Sequence, residues 1–229
     1  MAWAIAHSGN YVGIAQAGDE VVGAALGFRG VDDDGPALHS HIAGVRPGRD
    51  TRGIGRALKL HQRAWTLRHG IDRISWTFDP LVARNAYFNV SRLGADLVGY
   101  VADFYGPMTD GINGNDETDR ALVRWSLRSA RVIAAIDSRP GVAGPSGVIL
   151  DAPVGLGPDR NGWPCPQPIE DGAPFAIDVP LDIVAMRRRD PVQAAAWRKA
   201  LREILGGALE TGWVIATVTR GGRYLLARP

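Results

Sequence analysis

One cysteine, Cys165, stands alone in 229 residues, which excludes an internal disulfide and a cysteine-rich zinc site. It lies in Trp163-Pro164-Cys165-Pro166, a loop pattern with no nucleophile motif around it. Lysine is nearly absent: Lys59 and Lys199 are the only two, and arginine carries the remaining basic charge. No apolar run approaches the ~18 residues of a membrane helix. No basic segment followed by an apolar stretch opens the chain, as a secretory leader would. These absences predict a cytoplasmic protein without a membrane partner. The net charge of +2 gives no large basic field, so nucleic acid is not expected as a partner. No repeat of solenoid length is visible. What remains is 45% hydrophobic and 22% charged, the composition of a globular chain with a sizeable core.

Hydrophobic periodicity divides the chain into two parts. Tyr11–Gln16 and Val21–Phe28 alternate as strands around the turn Ala17-Gly18-Asp19-Glu20, a hairpin signal. Gly30–Pro36 reads as a loop, Leu38–Val45 as a strand, and Gly53–His69 as a helix with Ile54, Ala57, Leu58, Ala64 and Trp65 on one face. Strands follow at Arg73–Phe78, Asp96–Phe104 and Arg120–Leu127, with a helix over Val82–Arg92 and a polar loop over Gly106–Asp119. Residues 129–174 are rich in Pro and Gly and are predicted to be a linker or long loop. Residues 175–229 then read as a β-α-β-β unit that packs on the main domain. Its helix starts at Asp190-Pro191, an N-cap followed by proline at the first helical position.

The most informative segment is Val45-Arg46-Pro47-Gly48-Arg49-Asp50-Thr51-Arg52-Gly53-Ile54-Gly55-Arg56. It places glycines between a strand and the first turn of a helix. The opening amides of that helix have no internal partners and carry partial positive charge. Gly53 and Gly55 admit an anion close to the backbone, while Arg49, Arg52 and Arg56 add charge. A tight strand-to-helix turn without any ligand would use the same glycines. A Rossmann fingerprint is excluded, because Leu58 stands where its third glycine belongs. A Walker-type loop is excluded because no Lys-Ser/Thr follows Gly55.

This segment resembles the acetyl-CoA-binding signature of the GNAT superfamily: Arg or Gln, two residues, Gly, one residue, then Gly or Ala, after a strand ending Val-x-Pro. Asp50 occupies the Arg/Gln position, which departs from the pattern. The string Asn85-Ala86-Tyr87-Phe88-Asn89-Val90-Ser91-Arg92-Leu93-Gly94-Ala95 resembles the helix that ends in Gly-Phe in that superfamily. Trp76–Leu81 and Phe104–Met108 are similar to strings in a branch of predicted acetyltransferases. The resemblance covers roughly Tyr11 to Arg128. It implies an α/β fold with a mixed, mostly antiparallel sheet flanked by helices, and a C-terminal β-α-β-β extension. It implies acetyl-CoA or another acyl-CoA as co-substrate, no metal, and a small-molecule amine as the acceptor.

Acyl transfer to an amine needs a base for the amine, donors for the oxyanion and an acid for the leaving thiolate. The resemblance puts the base on the strand before the signature, at His39. His41 lies two residues further on the same face, and polar packing at a sheet edge is the plainer role for both. The tyrosine that serves as acid in many members is Val90 here, so Tyr87 or Tyr105 is expected to substitute; either also suits a core position with its hydroxyl at the rim. Val45, Arg49, Arg52, Gly53, Ile54, Gly55, Arg56 and Asn85 are the expected cofactor contacts. Trp76, Asp79, Asp110 and Asn113 are the expected acceptor contacts, although Asp79-Pro80 also suits a helix cap and Asp110 and Asn113 also suit turns. A degenerate acyl-CoA-binding module is the alternative, favoured by Val90 and Asp50. The superfamily opens with a strand and one or two helices before the hairpin. About ten residues precede Tyr11 here, so residues 1–128 are expected to be a GNAT-like domain lacking its first elements.

Overall fold

The computed structural model describes residues 2–32, 34–48, 53–106, 117–137 and 151–229. They form a mixed α/β protein with mostly antiparallel sheets flanked by helices. Two compact units are present, Met1–Trp76 with Arg124–Ile133, and Thr77–Val123 with Ala134–Pro229.

In the first unit a short helix α1 (Ala2–His7) precedes strands β1 (Tyr11–Ala17), β2 (Glu20–Asp32) and β3 (Gly35–Val45). They form an antiparallel meander. The segment expected as a loop over Gly30–Pro36 is instead a ladder, pairing Gly30 with Ala37 and Asp32 with Gly35. Two of its aspartates are ion-paired: Asp32 with Arg73 at 2.8 Å and Asp34 with Arg124 at 2.9 Å. Helix α2 (Ile54–Arg68) then crosses one face of the sheet and leads to β4 (Arg73–Phe78). The strand order is β1-β2-β3-β4, with β6 (Arg120–Ser126) beside β4. Gly23 permits the close approach of α2: a Cβ there would lie 3.1 Å from a Leu58 methyl and 3.2 Å from an Ile54 methyl.

The buried side of α2 differs from the expected apolar stripe. Leu58, Lys59, Gln62 and Thr66 are buried, whereas Ala57 and Ala64 are exposed. Polar side chains can occupy that face because most of their polar atoms find partners there, Gln62 Nε2 excepted. Lys59 Nζ donates to Ser40 Oγ at 2.8 Å and to Gln62 Oε1 at 3.2 Å. Thr66 Oγ1 donates to the Gln62 carbonyl at 2.7 Å.

The second unit holds α3 (Ala83–Ala86), a π-helical turn Tyr87–Arg92, and β5 (Asp96–Val101) next to β6. β5 stops before the expected Phe104. There the chain turns at Asp103, whose φ is +43°, with its N–H bonded to Asp119 Oδ1. Residues 130–137 form α4 (Ala130–Asp137). The stretch expected as a linker contains strands β7 (Val154–Pro158) and β8 (Pro164–Pro166), so it is a correction to that reading. They join β9 (Phe175–Asp178), β10 (Val214–Val218) and β11 (Arg223–Ala227) in a second sheet, ordered β10-β11-β9-β7-β8. Pro and Gly fit there because β8 is a three-residue edge strand, where proline costs no ladder bond.

Helices α5 (Ile183–Arg189) and α6 (Pro191–Leu201) both begin at aspartate caps. Asp182 accepts from Ala185 N–H at 2.8 Å and Asp190 from Gln193 N–H at 2.9 Å. α6 continues through a second π-helical turn, Arg202–Gly206, into α7 (Gly207–Glu210). Trp197 Nε1 and Gln193 Nε2 donate to the carbonyls of Gly162 and Asn161, which fixes α6 to the β7–β8 turn.

Candidate functional site

The first unit contains a fork. β3 has eleven residues, but its parallel ladder with β4 has only two pairs, Leu38 with Ile74 and His39 with Ser75. On its other edge β3 stays paired with β2 as far as Val45. The register there passes from Leu26–Ile42 to Gly27–Ser40, so His41 is the extra residue of a β-bulge. A bulge bends its strand and breaks the neighbouring ladder, which accounts for the divergence of β3 from β4.

Gly53 is the N-cap of α2 with φ 76° and ψ 6°, a left-handed conformation that a residue with a Cβ adopts only at a cost of about 1–2 kcal/mol. No side chain caps this end among the described residues, and no acidic residue lies in the first turn. Beyond its chain neighbours, no described residue lies within 4 Å of where a Cβ of Gly53 would sit, and a Cβ at Gly55 would touch the Val45 side chain at 3.8 Å. Val45, Gly53, Ile54, Gly55 and Arg56 are thus brought to one end of the fork. Arg49 and Arg52 lie outside the described residues, as does Asp50. The first-turn amides of this fifteen-residue helix, with no acidic residue among them, suit an anionic group.

His39 and His41 are exposed on β3, with ring centroids 6.1 Å apart. Phe28 packs on His41 at 5.4 Å. Partial burial of its ring within an otherwise exposed residue, then the charges of His41 and Lys59, hold the His39 pKa below its ordinary value. The imidazole is therefore neutral at pH 7 and able to accept a proton.

Trp76 lies on the opposite side of the sheet from the histidines. It is buried, edge-on to Trp125 at 5.9 Å, with Lys59 Nζ 3.9 Å over its ring. It is a core residue at the base of the fork rather than an open surface for an acceptor. Sequence reasoning missed Lys59, Ser40 and Gln62. The only signal was a lysine inside a chain that otherwise uses arginine.

The remaining expected residues belong to the second unit. Asp79 is a correction: both carboxylate oxygens are engaged internally. Arg198 binds them at 2.8 and 3.0 Å, Arg187 binds Oδ2, and Leu81 N–H donates to Oδ1. Burial pushes this carboxyl up, but the Arg198 and Arg187 contacts outweigh it and hold the pKa at about 2. Asp79 is thus committed to an internal ion-pair cluster and has no oxygen left for an acceptor. Tyr105 is exposed, edge-on to Phe104 at 4.7 Å and under the Arg120 guanidinium at 5.1 Å. Tyr87 accepts from Arg220 Nε at 3.3 Å. Asn85 is exposed on α3. Asp110 and Asn113 lie outside the described residues. Among the described residues no cluster of His, Cys, Asp and Glu could hold a metal, and no helix is long and apolar enough to cross a membrane.

No family model matches the chain, and no curated protein matches it. Solved structures are similar to part of it. YncA of Salmonella typhimurium, with its cofactor acetyl-CoA, is 18% identical, covering 63% of this chain and 73% of that one, with a TM-score of 0.46. A GNAT family acetyltransferase from Elizabethkingia anophelis with acetyl-CoA bound is 14% identical over 52% and 78% of the two chains, TM-score 0.44. The ribosomal-protein-alanine N-acetyltransferase of Brucella melitensis is 16% identical over 53% and 72%, TM-score 0.43.

Proposed function

We propose that this chain is an acyltransferase of GNAT type that moves an acetyl or other acyl group from acyl-CoA to the amino group of a small molecule. The observation that carries the reading is the fork itself: β3 leaves β4 after two pairs, beside a helix whose N-cap is a left-handed, side-chain-free Gly53. Val45, Gly53, Ile54, Gly55 and Arg56 would hold the diphosphate, with Arg49 and Arg52 expected to add charge. When bound, the co-substrate supplies an acyl group activated as a thioester.

The chain's own residues then have separable tasks. The backbone amides at the start of α2 and the partial positive charge of the helix end favour an anionic group there. His39, neutral at pH 7, takes the proton that the acceptor amine must lose, directly or through water. His41 on the bulge is the second candidate for that role. Tyr105 and Tyr87 are the candidates for protonating the leaving thiolate.

The test is release of free thiol from acetyl-CoA in the presence of a panel of small amines. His39→Ala should lower turnover with little change in acetyl-CoA affinity; equal turnover across pH 5–9 removes it as the base. A second reading, an acyl-CoA-binding module without turnover, is favoured by one observation. Val90, at the position of the family's tyrosine, is buried at 2% exposure and has no proton to give. Binding without thiol release for any amine would establish that reading.

A further inference from the structure

Among the described residues one buried cation, Lys59, has no carboxylate as a hydrogen-bond or ion-pair partner. Lys59 is 5% exposed, and the atoms around its ammonium are neutral: Ser40 Oγ at 2.8 Å, Gln62 Oε1 at 3.2 Å and the Trp76 ring at 3.9 Å. Ser40 directly follows the last paired residue of β3, and Trp76 directly follows that of β4. Lys59 Nζ therefore sits at the base of the fork, spanning its two sides.

Gln62 adds a second observation. It is 0% exposed, and its Nε2 has no hydrogen-bond partner among the described residues. Lys59 needs an acceptor and so fixes Oε1 toward itself, which leaves the amide N–H as a buried donor awaiting a carbonyl. Such a donor is destabilising while it is unmet. A nitrogen nucleophile and an unmet carbonyl donor thus lie one helical turn apart on the same buried face.

We propose that Lys59 is an internal acyl-acceptor site, modified by acyl thioesters that enter the fork between β3 and β4. The Lys59 nitrogen attacks the thioester carbonyl carbon, a C–N bond forms, and the C–S bond breaks. The proton lost by the amine ends on sulfur, so one free thiol is released and Lys59 becomes a neutral amide. That product suits its surroundings better than the ammonium does. The amide has no charge to desolvate beside Trp76, and its carbonyl can accept from Gln62 Nε2.

Two further facts favour a nucleophile here. Burial lowers the Lys59 pKa to about 7, so a large fraction is neutral amine at neutral pH, against roughly one part in 2,500 for an unperturbed lysine. His39 on β3 is the titratable group that feels its charge. Arginine, which serves as the cation elsewhere in the chain apart from Lys199, could not be deprotonated at this position.

The proposal rests on the acyl-CoA reading for its natural donor, so the experiment uses two donors. The full chain is incubated from pH 6 to 9 with acetyl-CoA, or with S-acetyl-N-acetylcysteamine, a thioester that lacks the diphosphate. Intact mass and peptide mapping then locate the acetyl group, while calorimetry reads acetyl-CoA binding separately. Exposed Lys199 is the internal comparator. Acetylation of Lys59 at least about tenfold faster than of Lys199, half-maximal near pH 7, is expected from the neutral-amine fraction; Lys59→Arg should lose that label and keep the one on Lys199. Preferential labelling by the short thioester without any acetyl-CoA binding would support the acceptor site and remove the diphosphate cradle. Binding of acetyl-CoA with no preference for Lys59 from either donor would overturn the proposal.

Discussion

Replacing Lys59 with methionine should change how stability responds to pH, and the size of the effect follows from its burial. The folded-state pKa is about 7 against 10.5 for the free side chain. Between these values the unfolded chain binds a proton that the folded chain has released, so unfolding becomes harder as pH rises. Each unit of difference is worth about 1.4 kcal/mol, which sets a ceiling of about 5 kcal/mol on the cost of keeping Lys59 charged inside the fold. Below pH 7 that cost is borne in full; above 10.5 it has disappeared. Methionine has a similar length and no charge, but it leaves Ser40 Oγ and Gln62 Oε1 without a donor, which offsets part of the gain at low pH. The assay is urea unfolding of both proteins at intervals from about pH 7.5 to 9.5, below the range in which buried Tyr11, pushed up to about 12, begins to titrate. The wild type should gain on the variant by about 1.4 kcal/mol per pH unit. A constant difference across that range would show that Lys59 keeps its proton, and would refute the argument from desolvation.

Three other substitutions test separate parts of the structure. Gly53→Val should destabilise the first unit by at least about 1–2 kcal/mol, because a β-branched residue is forced to φ 76°; unchanged stability in urea would contradict the left-handed cap. Asp79→Ala should cost about 3–5 kcal/mol by leaving two buried guanidinium groups without their shared carboxylate. Since the Asp79 pKa is depressed to about 2, its stabilisation is present above the ordinary carboxylate range and is lost as pH falls through 2; an acid unfolding curve identical to that of the variant would contradict this. Asp190→Ala removes the side-chain acceptor of Gln193 N–H and should lower stability by about 1 kcal/mol, with Asp190→Asn largely restoring it.

The early strands and α2 were legible because alternation and caps are local signals. β4 falls where the residues predicted it, and the Asp190-Pro191 start of α6 is present with its capping bond. β7 and β8 were not legible, since edge strands built from Gly and Pro carry the composition of a loop. α5 escaped because it is seven residues long and ends in Arg187-Arg188-Arg189, which suits a helix C-terminus but not an apolar pattern. The glycines of the cradle could be read, whereas the fork could not: it depends on where a ladder stops and on a bulge at His41. The polar face of α2 was hidden for a similar reason. Lys59 and Gln62 look like surface residues until the structure shows Ser40 and Trp76 closing over them. Asp79 looked available for a ligand because its partners, Arg187 and Arg198, lie more than a hundred residues away in the chain.

Thermal unfolding with and without saturating acetyl-CoA tests the central claim most directly, with CoA and ADP as controls. Ligand at a hundred times its dissociation constant adds about 2.7 kcal/mol to stability, a rise of several degrees for a domain of this size. That rise is expected with acetyl-CoA and with CoA, a smaller one with ADP, and none when Gly53 is replaced by valine. An unchanged transition with millimolar acetyl-CoA would contradict the assignment of the fork and its helix as an acyl-CoA site.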